Sequence, residues 1–197
     1  MIALHLRSKT PVSWAERAVA NLPAFVADHA VCELQASVHA LSLVGSYPKD
    51  PALVDRLSAL AAEELRHFRK VAKEARRLGA SLPTTRRNPY AAALRSACTS
   101  GTEPARGLER LLVAALIEAR SHERFELLSP LVPDARLSRL YRELADAEAR
   151  HGPLYLELAV AHAGEKAARA RLDELLDVEE RALSGGPGRE IAVHASV

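Results

Sequence analysis

The stretch LAAEELRHF, residues 60–68, contains a Glu-x-x-His motif, and LADAEARHGP, residues 144–153, contains a second one. The motifs consist of Glu64 with His67 and of Glu148 with His151. On an α-helix, residues three apart lie on the same face, so each pair can bind one metal ion. A single Glu-x-x-His motif is common by chance. Two such motifs on two different helices are not, and they predict that both motifs bind metal.

Both motifs lie on apolar helix faces. The first shares its face with Leu57, Leu60, Ala61, Phe68 and Val71, and the second with Tyr141, Leu144, Ala145 and Tyr155. This spacing predicts that the motifs point toward the core. A buried carboxylate costs several kcal/mol unless a partner compensates it. A metal ion is such a partner.

A di-iron helix bundle takes one further glutamate from each of two other helices. Glu33 and Glu118 are the glutamates on apolar stripes of the two remaining long helices. Glu33 precedes Glu64 by 31 residues, and Glu118 precedes Glu148 by 30. The chain therefore contains two similar helix pairs, each with the pattern Glu … Glu-x-x-His.

Other residues near these positions are weaker candidates for ligands. Glu123 and Glu126 share their faces with basic residues or a histidine, so we expect them to be exposed. His29 and His122 lie one turn from Glu33 and Glu118, where we expect packing or hydrogen bonding beside the site. Four core carboxylates carry a charge that two divalent ions would neutralise. Iron and manganese both suit glutamate and histidine ligands.

The 197 residues are 48% hydrophobic but only 4% aromatic, with Ala and Leu dominant, which favours helix. We predict an all-α protein with a single domain over residues 1–184 and an irregular tail over 185–197. Gly152-Pro153 should kink its helix. The predicted helices cover about residues 13–21, 23–45, 51–78, 91–98, 102–128, 134–164 and 165–183.

Several classes of protein are disfavoured by the sequence. The longest uncharged run has fifteen residues, whereas a membrane span needs about 20 apolar residues, and no secretory signal is evident. Cys32 and Cys98 suggest neither a disulfide framework nor a zinc cluster. No glycine-rich phosphate loop is present. We therefore expect a cytoplasmic protein without membrane association.

One stretch is strongly basic although the whole chain carries only +2. Between Arg66 and Arg95, nine basic residues and one acid give a net charge of +8, which leaves −6 for the rest. A solvated helix face explains part of this pattern. Such a patch also attracts polyanions, of which nucleic acid is the obvious candidate.

The residues around the four glutamates resemble the tRNA 2-methylthio-isopentenyladenosine hydroxylases, a MiaE-like family of ferritin-like di-iron monooxygenases. The resemblance covers about residues 10–183. The similar segments are DHAVCELQAS, ALSLVGSY, LAAEELRHF, NPYAAALR, LIEARSHERF and DAEARHGPLYLELA. It implies a ferritin-like four-helix bundle with additional short helices.

The resemblance also implies an enzyme that hydroxylates the isopentenyl side chain of a hypermodified adenosine beside the tRNA anticodon. Two iron ions would activate O₂ with electrons from an external donor, such as a reductase. The implied iron ligands are Glu33, Glu64, His67, Glu118, Glu148 and His151. We expect the tRNA anticodon stem-loop to bind through Arg76, Arg77, Arg86 and Arg87, since a target base must be unstacked to reach a buried metal.

Three alternatives remain open at this stage. An iron-storage or ferroxidase protein would share the six ligands but would assemble into a cage and need no basic block. A manganese catalase, or another di-metal oxidase without an RNA substrate, would share the ligand pattern as well. A purely structural bundle would bind no metal.

Overall fold

The computed structural model of the chain describes residues 2–84, 88–99 and 101–183. These residues form seven α-helices and no strand, as the composition predicts. None of the described helices has both the length and the apolarity to cross a membrane. The helices are α1 (Val12–Ala20), α2 (Leu22–Ser46), α3 (Pro51–Arg77), α4 (Pro89–Ser96), α5 (Ala105–Leu128), α6 (Ala135–Ala163) and α7 (Glu165–Leu183).

Capping residues set the ends of α3 and α6. The Asp50 carboxylate accepts a hydrogen bond of 3.0 Å from the Leu53 amide, and Asp134 accepts hydrogen bonds from two first-turn amides of α6. Gly79 and Gly164 follow these helices with φ values of 76° and 85°, a left-handed conformation that only glycine adopts without strain. These ends agree with the predicted ones to within a residue or two.

Two other helices begin away from their predicted positions. α4 starts at Pro89 rather than at residue 91, because the Asn88 side chain accepts a 2.8 Å hydrogen bond from the Ala91 amide. α5 starts at Ala105 rather than at residue 102. Pro104 disfavours helical backbone in the residue before it, so Glu103 does not join the helix. α6 continues through Pro153 as one helix.

The described residues divide into two compact units. The α2/α3 unit comprises residues 20–84. The α5/α6 unit comprises residues 2–19, 88–99 and 101–183, and so contains α4 to α7 as well as the N-terminal segment. The predicted single domain over residues 1–184 stays a prediction, and the predicted tail 185–197 lies outside the described residues.

In the α2/α3 unit, the two helices pack along each other. Ser37 Oγ donates a buried hydrogen bond of 2.8 Å to the Ala61 carbonyl. Ser37 lies one turn after Glu33, and Ala61 lies one turn before Glu64. The bond therefore fixes a register in which these two glutamates face each other.

In the α5/α6 unit, α5 packs along α6, and α7 packs against both helices and against α4. The rings of Phe125 and Tyr141 meet between α5 and α6 with centroids 5.5 Å apart. Gly152 lets the two backbones approach closely, since a Cβ there would lie 3.5 Å from the Ala115 carbonyl oxygen and 3.6 Å from the Ala119 amide nitrogen. This close approach is at the level of Glu118, whose Cβ would be 3.8 Å away.

Candidate metal centre

The α2/α3 unit brings together three predicted ligands. Glu33 comes from α2, Glu64 and His67 come from α3, and all three are buried. One ligand atom of each lies within 4.8 Å of the others. His67 Nδ1 is 3.5 Å from Glu33 Oε2 and 3.5 Å from Glu64 Oε2. Two carboxylates and one imidazole thus converge on a single point.

His29 supports this group from one turn earlier on α2. Its side chain is fully buried, and its Nε2 forms a hydrogen bond with Glu33 Oε1. Burial alone would raise the pKa of Glu33, but the charge and hydrogen bond of His29, with a hydrogen bond from His67, hold that pKa well below its usual range. Glu33 is therefore a carboxylate anion in the core.

His67 is shifted in the opposite direction. Burial lowers the pKa of an imidazole, but hydrogen bonds to Glu33 and Glu64 and their negative charges raise the pKa of His67 to about 9. A metal ligand must be neutral imidazole, so metal binding here would release that proton. The same two carboxylates that attract the proton would attract a divalent ion.

The α5/α6 unit brings together the other three predicted ligands. Glu118 comes from α5, Glu148 and His151 come from α6, and all are buried. One ligand atom of each lies within 4.8 Å of the others, and His151 Nδ1 is 3.4 Å from Glu148 Oε2. Each unit thus presents the same donor set on one pair of helices.

These donor sets fit iron. Carboxylate oxygen and imidazole nitrogen are ligands for iron and manganese in helical bundles. Glu33 Oε2 is buried and faces His67 Nδ1 at 3.5 Å. A metal ion held between the Glu33 carboxylate and the His67 imidazole would take the place of the His67 proton. One divalent ion would also balance the two carboxylate charges of each unit.

A cavity of about 730 Å³ borders one candidate ligand of the α5/α6 unit, Glu148. Glu148 forms part of its wall, next to Ala149 and Gly152 on the same helix. Residues 2–6 form another part of the wall. The remaining lining is half apolar, with Ala119, Pro153, Leu156 and Val160, and half polar, with His122, Glu123, Glu126 and Glu157.

A buried ion pair anchors the N-terminal segment in this unit. The fully buried Arg120 donates from Nε to Glu179 Oε1 at 2.9 Å and from Nη2 to Glu179 Oε2 at 3.1 Å. Nη2 also donates to the Ser8 carbonyl at 3.1 Å, and Nη1 donates to Thr10 Oγ1 at 3.3 Å. Tyr90 donates its hydroxyl to Glu179 at 2.9 Å. A single arginine on α5 therefore joins α4, α7 and the N-terminal segment.

The chain matches the tRNA-(MS[2]IO[6]A)-hydroxylase (MiaE) family over residues 1–195. It belongs to that family. The tRNA 2-(methylsulfanyl)-N(6)-isopentenyladenosine(37) hydroxylase of Pseudomonas putida is 38% identical over 95% of this chain and 90% of that protein. The hydroxylase of the same name from Salmonella typhimurium is 30% identical over 98% of this chain and 88% of that protein.

Among solved structures, the chain is similar to a Synechococcus protein described as protein 43 with aldehyde deformylating oxygenase activity. The TM-score is 0.91 with 37% identity, over 98% of this chain and 96% of the other. This likeness confirms the predicted fold class, an all-α ferritin-like four-helix bundle with additional short helices. The predicted membership of the MiaE family is also confirmed.

The predicted exposure of Glu123 was wrong, whereas the predictions for Glu126, His29 and His122 agree with the structure, and His122 Nδ1 forms a 2.9 Å hydrogen bond with the Ala145 carbonyl. Glu123 is not a free surface acid, because it accepts hydrogen bonds of 2.6 Å from both the amide and the hydroxyl of Thr10. Arg120, one turn before Glu123, is buried. Glu126 is exposed, and His29 forms a hydrogen bond beside the site, as expected.

The Arg120 network was not predicted, because no pattern of neighbouring residues in the sequence indicates it. Its partners are distant in sequence, with Glu179 lying 59 residues and Thr10 lying 110 residues away. The available signal was an arginine four residues before another, Arg124, which lies 4.8 Å over the Trp14 ring.

The four arginines proposed to contact RNA have different settings. Arg86 and Arg87 lie outside the described residues. Arg76 is exposed at the end of α3. Arg77 donates a 2.6 Å hydrogen bond to the buried Glu74, so its guanidinium is already paired with a carboxylate of the protein.

Proposed function

We propose that this protein hydroxylates the isopentenyl side chain of a hypermodified adenosine next to the tRNA anticodon. The observation that carries the proposal is the pair of buried Glu–Glu–His sets in a chain of the MiaE family. The relatives from Pseudomonas putida and Salmonella typhimurium are named for this hydroxylation. A tRNA substrate implies reaction in the cytoplasm.

Two iron ions are the proposed cofactor, held by Glu33, Glu64, His67, Glu118, Glu148 and His151. When bound, the iron pair would supply the activation of O₂ that organic side chains cannot provide. Hydroxylation places one oxygen atom on the substrate carbon and releases the other as water. It consumes two electrons and two protons, so an external donor, such as a reductase, completes the reaction.

The protein's own residues prepare the site for this chemistry. His29 holds Oε1 of Glu33, and Oε2 of Glu33 faces His67 Nδ1, so the two candidate ligands are oriented toward each other. Apolar side chains on the same faces, such as Leu57 and Tyr155, are fully buried and exclude water from the ligands. The ligands are thus held in position before the substrate arrives.

The proposed tRNA contacts are Arg76, Arg77, Arg86 and Arg87. Replacing Arg86 and Arg87 by alanine should weaken tRNA binding and lower the slope of log K against log salt by about 1.4–1.8, since each phosphate contact contributes roughly 0.7–0.9. Arg139→Ala, on the exposed face of α6, is the control. An unchanged slope for the double variant would remove the assignment.

The deciding experiment is nucleoside analysis by mass spectrometry. The iron-loaded protein is incubated with O₂, a reductant and tRNA that carries isopentenyladenosine, with or without the methylthio group. We expect that nucleoside to gain one oxygen atom, and Glu118→Ala to abolish the gain. A wild-type protein that holds two irons yet adds no oxygen to either tRNA would contradict the proposal.

A second candidate function is oxygenation of a free apolar molecule. The apolar cavity beside Glu148 favours it, and the Synechococcus relative is described as having aldehyde deformylating oxygenase activity. Incubation of the same iron-loaded protein with a long-chain aldehyde would reveal formate and a shortened hydrocarbon. Turnover of the aldehyde without turnover of tRNA would favour this function over the first.

A further inference from the structure

Residues 2–10 form a segment without helix or strand, here called the strap, which has two different faces. Ile2 and Thr10 are buried and Leu4 and Leu6 are half-buried, whereas the odd-numbered residues from 3 to 9 are exposed. Such alternation is the period of extended backbone, in which successive side chains point to opposite sides. Residues 2–6 all form part of the cavity wall, and Ile2, Leu4 and Leu6 supply its buried and half-buried apolar side chains.

The strap is firmly held at one end only. Arg7 pairs with Asp173 and Asp177 on α7, and Ser8 and Thr10 are bonded to Arg120. Within the described residues, no side-chain hydrogen bond or ion pair involves residues 2–6. Their attachment is apolar packing over the cavity. This half of the strap can therefore yield to a ligand without breaking the buried ion pair.

The cavity under the strap reaches a metal ligand. Glu148 forms part of its inner wall, and Leu156, two turns further along α6, forms part of its apolar lining. Its volume of about 730 Å³ lies within the usual range of roughly 300–1,000 Å³ for small-molecule sites. A five-carbon side chain alone would leave most of it empty. A purine base with that side chain would fill far more of it.

We propose that this cavity receives the unstacked adenine with its isopentenyl group directed at Glu148, and that strap residues Leu4 and Leu6 form its outer wall. This inference rests on the proposed function. The inference identifies the cavity as the place where the isopentenyl group is bound, and Leu4 and Leu6 as residues that select an apolar group there. The strap is then a specificity element rather than a loose terminus.

Charge at the mouth of the cavity agrees with a neutral ligand. Glu126 and Glu157 are both exposed and both line the cavity. Their carboxylates repel phosphate, so the RNA backbone must stay outside while the uncharged base enters. The basic residues that hold the backbone therefore belong to another surface.

The test measures binding of free nucleosides, without turnover. Isothermal titration of the iron-loaded protein, kept anaerobic, compares N6-isopentenyladenosine with adenosine. Each buried carbon contributes roughly a fourfold gain in affinity, so burial of all five carbons would make isopentenyladenosine bind about 1,000-fold more tightly than adenosine. Equal affinities for the two nucleosides, or no binding of either, would overturn the proposal.

Variants locate the binding. Leu156→Trp fills the cavity and should weaken isopentenyladenosine binding at least about tenfold, whereas Leu154→Trp, on the same helix but outside the cavity lining, should leave it unchanged. The double variant Leu4→Ala/Leu6→Ala should lower the ratio of the affinity for isopentenyladenosine to the affinity for adenosine. Lys9→Ala, on the outer face of the strap, is the control for that pair. Equal loss in the two tryptophan variants would place the nucleoside elsewhere.

The two proposals fail in distinguishable ways. Selective nucleoside binding that Leu156→Trp removes supports the cavity assignment, whatever the outcome with tRNA. Hydroxylation of tRNA that Leu156→Trp leaves intact, in a variant that is folded and holds two irons, supports the proposed function but refutes the cavity. If Leu156→Trp does not fold, the nucleoside comparison on the wild-type protein and the strap variants still decides.

Discussion

The α2/α3 pair and the α5/α6 pair carry the same donors, but their surroundings differ. In the α2/α3 pair, a buried histidine one turn before Glu33 holds the first carboxylate. In the α5/α6 pair, the second carboxylate, Glu148, borders a cavity, and a buried ion pair anchors the strap that covers it. In our proposal, the α2/α3 pair only holds metal, whereas the α5/α6 pair holds metal and also admits the ligand.

The residue after each motif histidine shows the same contrast. Phe68 follows His67 and is half-buried, whereas Gly152 follows His151 and is buried. The glycine brings α5 and α6 close together and also lines the cavity. The repeated Glu … Glu-x-x-His pattern thus places the candidate ligands in the same way in both helix pairs. The residues next to the motifs are what differ between the two pairs.

The largest expected effect comes from removing one ligand in either half. Glu64→Ala and Glu118→Ala should each reduce tRNA hydroxylation to background, because the remaining carboxylates no longer balance two divalent ions. Iron analysis should find fewer than two ions per chain. Glu143→Ala, an exposed residue on α6, is the matched control. Retention of full activity and iron by either ligand variant would contradict the equivalence of the two halves.

A large loss of stability is expected from Arg120→Met. The change leaves Glu179 buried without its cation, and breaking such a pair costs about 3–5 kcal/mol. Urea unfolding followed by circular dichroism measures the free energy of unfolding. Arg139→Met, on the exposed face of α6, should change it by less than about 0.5 kcal/mol. Equal effects of the two variants would show that the buried network does not stabilise the α5/α6 unit.

An intermediate effect on iron affinity is expected from His29→Leu. Loss of a residue that orients a metal ligand typically lowers metal affinity by about 10–100-fold. Competition with a chelator measures that affinity, and the electronic spectrum of the bound iron shows whether coordination has changed. His39→Leu, on the same helix, serves as the control. If both variants bound iron as tightly as the wild type, the positioning role of His29 would be refuted.

The smallest effect is expected from Gly152→Ala. The added Cβ would make ordinary contacts at 3.5–3.8 Å, and alanine is a better helix former than glycine by up to about 1 kcal/mol. The free energy of unfolding should therefore rise by at most about 1 kcal/mol. Gly152→Phe introduces the residue type that follows His67. This variant should instead lower the free energy of unfolding, because the ring forces α5 and α6 apart. The same thermal or urea assay compares the two variants.

The six candidate ligands could be selected from the sequence, and the structure brings them together in two groups, because their signal is local and repeated. Glu64 with His67, and Glu148 with His151, share helix faces by spacing alone, and Glu33 and Glu118 are acids on apolar stripes. The helix ends at Gly79 and Gly164 were predictable for a similar reason, since a left-handed stop is a property of one residue and its neighbours.

The sequence by itself determined the helices, the faces that carry the six candidate ligands and the membership of the family, because those properties depend on residues within a few turns of one another. Only the tertiary structure decided that Arg120 is buried against Glu179, that Thr10 binds Glu123, and that the strap covers a cavity beside Glu148. These contacts join residues far apart in the chain. Helical spacing cannot distinguish a surface arginine from one that meets a distant carboxylate inside the fold.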